Sequence, residues 1–142
     1  MLESQKRFYG MITNIDDNFQ KLLKKLDELD IADNTIVIFT TDNGTANGYI
    51  EDKKTGFVHG YNAGMRGKKG SEYDGGHRVP FIIRWPNGEL DTGKSLNDLT
   101  AHVDILPTLT TLAGIDFSTS RAFNVNTFVV VTILCVIYFL LW

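Results

Sequence analysis

The run Thr35-Ile36-Val37-Ile38-Phe39-Thr40-Thr41 constrains this chain most, because it stops at Asp42-Asn43-Gly44. Consecutive β-branched and aromatic residues make a buried strand. In open α/β sheets, ligands bind beyond the carboxyl ends of the strands. A carboxylate and an amide at that end offer hard oxygen donors of the kind Ca²⁺ or Mg²⁺ takes. Gly44 lets the chain turn sharply away. Asp-Asn-Gly after a strand is also ordinary turn chemistry, so these three residues alone fit either a metal centre or a plain turn.

The segment before the strand reads as a helix. Phe8, Ile12, Ile15, Phe19, Leu22, Leu26 and Leu29 recur at alternating steps of four and three. That spacing predicts one apolar stripe along about six helical turns. Lys21, Lys24, Lys25, Asp27 and Glu28 fall mostly off it. The stripe ends after about three heptads, which suits packing on a sheet better than a coiled-coil seam. Further on, Val79–Arg84 is a second apolar strand entered through Pro80. Trp85-Pro86-Asn87-Gly88 is a turn, and Leu99–His102 a short strand. Ile105–Leu112 is a helix capped by Asp104, with Pro107 in its first turn and Gly114 ending it. This order predicts an α/β fold with helices packed on a mixed, mostly parallel sheet.

Residues 44–78 form a long glycine-rich loop, and such loops in compact domains are usually functional. Its second part reads Gly64-Met65-Arg66-Gly67-Lys68-Lys69-Gly70-Ser71-Glu72-Tyr73-Asp74-Gly75-Gly76-His77-Arg78-Val79-Pro80. Glycines allow close backbone approach, and unpaired backbone N–H groups favour anions. Lysine adds a point charge and arginine a planar fork for an oxyanion. The Walker A pattern is not matched. A solvated basic loop is the plain alternative. Of the histidines, His77 lies beside the anion-binding candidate, His59 within the loop, and His102 at an expected strand end.

Composition narrows the classes. A chain of 142 residues suits one domain with a workable core. A formal net charge of −3 gives no support for general nucleic-acid binding. The single cysteine, Cys135, excludes an internal disulfide framework. The start, Met1-Leu2-Glu3-Ser4-Gln5-Lys6-Arg7, shows no apolar stretch after its charges, so no signal peptide is expected there.

Several motifs occur in one order: Phe8-Tyr9-Gly10-Met11-Ile12 through Asp16, then Leu22-Leu23, then Thr41-Asp42-Asn43-Gly44. There follow Gly67-Lys68-Lys69-Gly70-Ser71-Glu72-Tyr73-Asp74-Gly75-Gly76-His77-Arg78-Val79-Pro80, Arg84-Trp85-Pro86, and His102-Val103-Asp104-Ile105-Leu106-Pro107-Thr108. Each is weak alone. Together they resemble the later part of the catalytic domain of formylglycine-dependent sulfatases, of the alkaline phosphatase superfamily, over about residues 5–117. The resemblance implies a calcium-dependent sulfuric ester hydrolase acting on a sulfated small molecule or carbohydrate. It implies Asp42 and Asn43 as metal ligands, with Ca²⁺ expected and Mg²⁺ possible. It implies Lys69 as the catalytic lysine contacting the sulfate group, aligned through Gly70, with Lys68 one place earlier. His77 is the histidine expected nearest the substrate, and Arg78 is expected to support the loop. In such enzymes hydrated formylglycine, formed within a Cys- or Ser-x-Pro-Ser-Arg segment, attacks sulfur. That segment does not occur here, nor do the early Asp ligands. The chain is therefore expected to be incomplete and inactive when isolated. Such enzymes are often exported, so localisation stays open.

The expected domain is residues 1–117, leaving 118–127 as a linker and 128–142 as a hydrophobic tail. Phe128–Trp142 carries no charge. As a helix it spans roughly 22 Å, or about 27 Å with Val125–Thr127, short of a ~30 Å bilayer core. It reads as a marginal membrane anchor, or as out-of-frame sequence. Two other functions stay open: a phosphodiester or phosphonate hydrolase of the same superfamily, and a non-catalytic, membrane-tethered remnant.

Overall fold

The computed structural model describes residues 2–52, 54, 58–88, 90, 93–114 and 129–135. The amphipathic segment forms helix α1, Glu3–Glu28. At its start, Gln5 Oε1 accepts a hydrogen bond from the Leu2 N–H at 3.2 Å, one half of a capping box. Phe8 and Leu26 are buried, while Ile15, Phe19 and Leu22 are half-buried. Ile12 and Leu29 of the expected stripe are exposed. Leu29 caps the helix, so the apolar line leaves it at Leu26 and continues through Ile31 after the turn.

That turn has a defined geometry. Asp30 N–H donates to the Asp27 carbonyl at 3.0 Å, and Ile31 N–H to the Leu26 carbonyl at 3.1 Å. These are the two bonds of a Schellman motif, whose residue after the cap takes left-handed backbone. Asp30 does so, with φ +56°. Leu26 and Ile31 both join a cluster with Phe19, Leu23, Ala32 and Val37, the apolar contact that accompanies this motif.

A 3₁₀ turn at Ala32–Asn34 leads into strand β1, Thr35–Thr41. Residues 35–38 and Thr40 of β1 are buried. Phe39 meets Phe19 of α1 edge-to-face, ring centroids 5.6 Å apart. The following loop carries a small antiparallel pair, β2 (Tyr49–Glu51) and β3 (Val58–Gly60), and a four-residue helix α2, Asp74–His77. Strand β4, Phe81–Arg84, then pairs antiparallel with β1. A 3₁₀ turn at Pro86–Gly88 follows where Trp85–Gly88 was expected to turn. Helix α3 spans Ile105–Leu112, with Gly114 beyond its end at φ +66°. Strand β5, Val129–Cys135, lies parallel to β1, giving the sheet order β4-β1-β5.

The result is a mixed helix-and-strand fold, consistent with part of an α/β domain. The mostly parallel sheet expected is not established by these pairs, since β4 runs antiparallel to β1. Among the described residues the connection from β1 to β4 carries β2, β3 and the four-residue α2, and no crossover helix of the kind that usually joins parallel neighbours. Three further expectations change. Leu99–His102 is not a strand: His102 opens a 3₁₀ turn, His102–Asp104, and Leu99 is fully exposed. Asp104 stands at the N-cap position of α3 as expected, but its side chain makes no cap bond to that helix and accepts the Ala101 N–H of the preceding turn at 2.7 Å. Residues 129–135 of the hydrophobic tail are strand, not helix. Their consecutive β-branched side chains favour extended backbone. Among the described residues, no helix is long and apolar enough to cross a membrane. The 118–127 linker, Phe128 and residues 136–142 lie outside the described residues.

Candidate functional site

Strand β1 delivers Asp42 and Asn43 side by side just past its carboxyl end. Thr41 Oγ1 donates to the Asn43 carbonyl at 3.1 Å, tightening the turn. Asn43 Nδ2 donates to Asp42 Oδ1 at 2.6 Å. That bond uses the amide nitrogen and one carboxylate oxygen. Asn43 Oδ1 and Asp42 Oδ2 remain as hard acceptors of the type calcium takes. The donors fit a cation in kind. They fall short in number, because Ca²⁺ takes six to eight oxygens. No group of three or more His, Cys, Asp or Glu side chains arranged for a metal occurs among the described residues.

The basic loop is held by its own backbone. Asn62 is buried, and its Nδ2 donates to the carbonyls of Met65 at 2.7 Å and Gly67 at 2.9 Å. Ser71 N–H donates to the Lys68 carbonyl at 2.8 Å, so Lys69 and Gly70 form the corner of a β-turn. Gly70 has φ +83°, a conformation that favours glycine at that corner. Lys68 and Lys69 are both exposed. The Arg66 guanidinium stacks over the Tyr73 ring, 3.6 Å from its centroid. Arg78 pairs with Asp74 across one turn at 3.6 Å, both side chains exposed. His77 Nε2 lies 3.0 Å from the Glu72 carbonyl. A carbonyl only accepts, so the His77 Nε2–H is the donor and that proton is used inside the loop.

Two backbone bonds join the strand end to this loop. Gly44 N–H donates to the Gly76 carbonyl at 2.9 Å, and Lys69 N–H to the Thr45 carbonyl at 2.9 Å. A Cβ on Gly44 would overlap the Gly75 carbonyl, and one on Gly75 the Gly67 carbonyl. Gly44 is therefore needed for close approach, not for a left-handed turn. The contacts draw the segments carrying Asp42, Asn43, Lys69 and His77, spread from position 42 to position 77, into one loop cluster past the end of β1.

Sequence reasoning underweighted two residues. Asn62 is the clasp of the loop, and only its position before Ala63-Gly64 hinted at a turn. His102 Nε2 lies 3.0 Å from the Thr41 carbonyl, across 61 positions of sequence. No spacing rule links those two residues before the fold is known.

The sequence pattern of the Sulfatase family matches residues 3–115. Human steryl-sulfatase is 36% identical over 115 residues, covering 79% of this chain and 19% of that protein. An arylsulfatase of Hemicentrotus pulcherrimus is 34% identical, covering 83% of this chain and 20% of its own length. Human N-acetylgalactosamine-6-sulfatase is 35% identical over 122 residues, covering 85% of this chain and 22% of that enzyme. The chain thus spans about a fifth of the length of these relatives.

Proposed function

The chain belongs to the Sulfatase family, and from that premise we propose that it forms the calcium- and sulfate-binding portion of a sulfuric ester hydrolase. The observation that carries this reading is the joint between the Asp42-Asn43 turn and the Lys68-Lys69 corner, made by the Gly44–Gly76 and Lys69–Thr45 backbone bonds. Hard oxygen donors and an exposed ammonium held in one loop cluster suit an oxyanion bound through both a cation and a lysine.

In this reading Asp42 Oδ2 and Asn43 Oδ1 supply two ligands, and further oxygens come from outside the described residues. Calcium, when bound, polarises a sulfate oxygen and neutralises charge. Lys69 offsets charge on the transferring group from a backbone corner fixed before substrate arrives. His77, tied to the Glu72 carbonyl, orders the rim of the loop beside it. The nucleophile belongs to a Cys- or Ser-x-Pro-Ser-Arg segment outside these 142 residues, and the sheet to a larger, mostly parallel one. The substrate is a sulfated small molecule or carbohydrate.

Titration with inorganic sulfate in the presence of Ca²⁺, followed by calorimetry, tests the assignment. Lys69→Ala weakens sulfate binding by about 10-fold or more, the range of a hydrogen bond to a charged group. Lys68→Ala has a much smaller effect. Equal binding by the Lys69→Ala variant and the unaltered chain overturns the assignment of Lys69.

A further inference from the structure

The end of β1 is tied down at three successive points around Asp42. The Thr41 carbonyl receives His102 Nε2 at 3.0 Å. Thr41 Oγ1 donates to the Asn43 carbonyl at 3.1 Å. Gly44 N–H donates to the Gly76 carbonyl at 2.9 Å. The first tie precedes Asp42, the second spans it and the third follows it. His102 comes from a different part of the chain, the turn that leads into α3. That turn is itself braced, because Asp104 accepts the Ala101 N–H and its carbonyl accepts Thr108 Oγ1 at 2.6 Å.

The imidazole is exposed, and one exposed hydrogen bond adds little to global stability. Its effect is local. It fixes the peptide plane immediately before the first expected metal ligand. We propose that His102 is a positioning residue for the cation: its Nε2–H holds the Thr41 carbonyl and so sets the direction in which Asp42 and Asn43 present their oxygens. This rests on the calcium reading above. Groups that orient metal ligands from outside the coordination sphere typically change metal affinity by one to two orders of magnitude when removed.

The experiment is Ca²⁺ titration of the full 142-residue chain, with Tb³⁺ luminescence as a second probe and thermal unfolding of each variant beside it. His102→Ala raises the Ca²⁺ dissociation constant by about 10-fold while the metal-free unfolding temperature moves little. Gln places its amide nitrogen as many bonds from Cα as the His Nε2, whereas Asn places it one bond nearer. His102→Gln therefore restores affinity and His102→Asn does not. His102→Ala binding Ca²⁺ like the unaltered chain overturns the inference. So do Gln and Asn variants that behave alike, or an affinity loss that simply tracks lost stability. Asp42→Ala separates the two levels of the argument. If it and the unaltered chain bind Ca²⁺ equally, the metal reading itself falls, and the role of His102 with it.

Discussion

Asp30 is one of two non-glycine residues, with Ala63, that take left-handed backbone among the described residues. It takes φ +56° at the position after the α1 cap, where glycine carries no Cβ penalty. Asp30→Gly is expected to stabilise the chain by about 0.5–1 kcal/mol, read as a shift in the urea midpoint with unchanged slope. Gly44 shows the reverse dependence. Gly44→Ala drives a methyl into the Gly75 carbonyl and is expected to cost about 1–3 kcal/mol. It also separates the two loops, so Ca²⁺ and sulfate binding fall together, which paired titrations would detect. Gly44 was legible as a glycine needed there, but for a different reason. A close approach between segments thirty positions apart leaves no local trace.

Elements with a defined end were readable to within a residue or two, whereas α1 begins at Glu3, five residues before its apolar stripe. The bounds of α3 follow from Pro107 in the first turn and Gly114 past the end. The bounds of β1 follow from its β-branched run. Strand direction was not readable, because it depends on what fills the connection rather than on the strand itself. Leu99–His102 failed for a related reason: a short apolar run becomes a strand only if a neighbour offers its edge. The core beneath these elements is small, joining Leu26 to Ala32 and Val37. Leu26→Ala, removing the side chain that also closes the Schellman motif, is expected to cost about 2–4 kcal/mol. Denaturant unfolding followed by far-UV circular dichroism measures it. The loss of α1 signal should coincide with that of the sheet.

Across the molecule, apolar surface is unevenly covered. Strand β4 has Phe81, Ile82 and Ile83 exposed at 46%, 60% and 39% of their areas. Three consecutive apolar residues suit a strand covered on both faces, yet among the described residues all three are exposed. Such an edge promotes self-association. Ile82→Lys is expected to reduce concentration-dependent association in sedimentation velocity while leaving the unfolding temperature nearly unchanged. The candidate site lies at the other extreme, because main-chain amides and carbonyls make its joint, and every residue type except proline brings the same pair. Replacing the side chains at 68 or 69 alters the chemistry on offer without dismantling the platform that presents it. The platform can therefore be inherited while the specificity drifts, and a descendant of this loop could change its ligand without first having to refold.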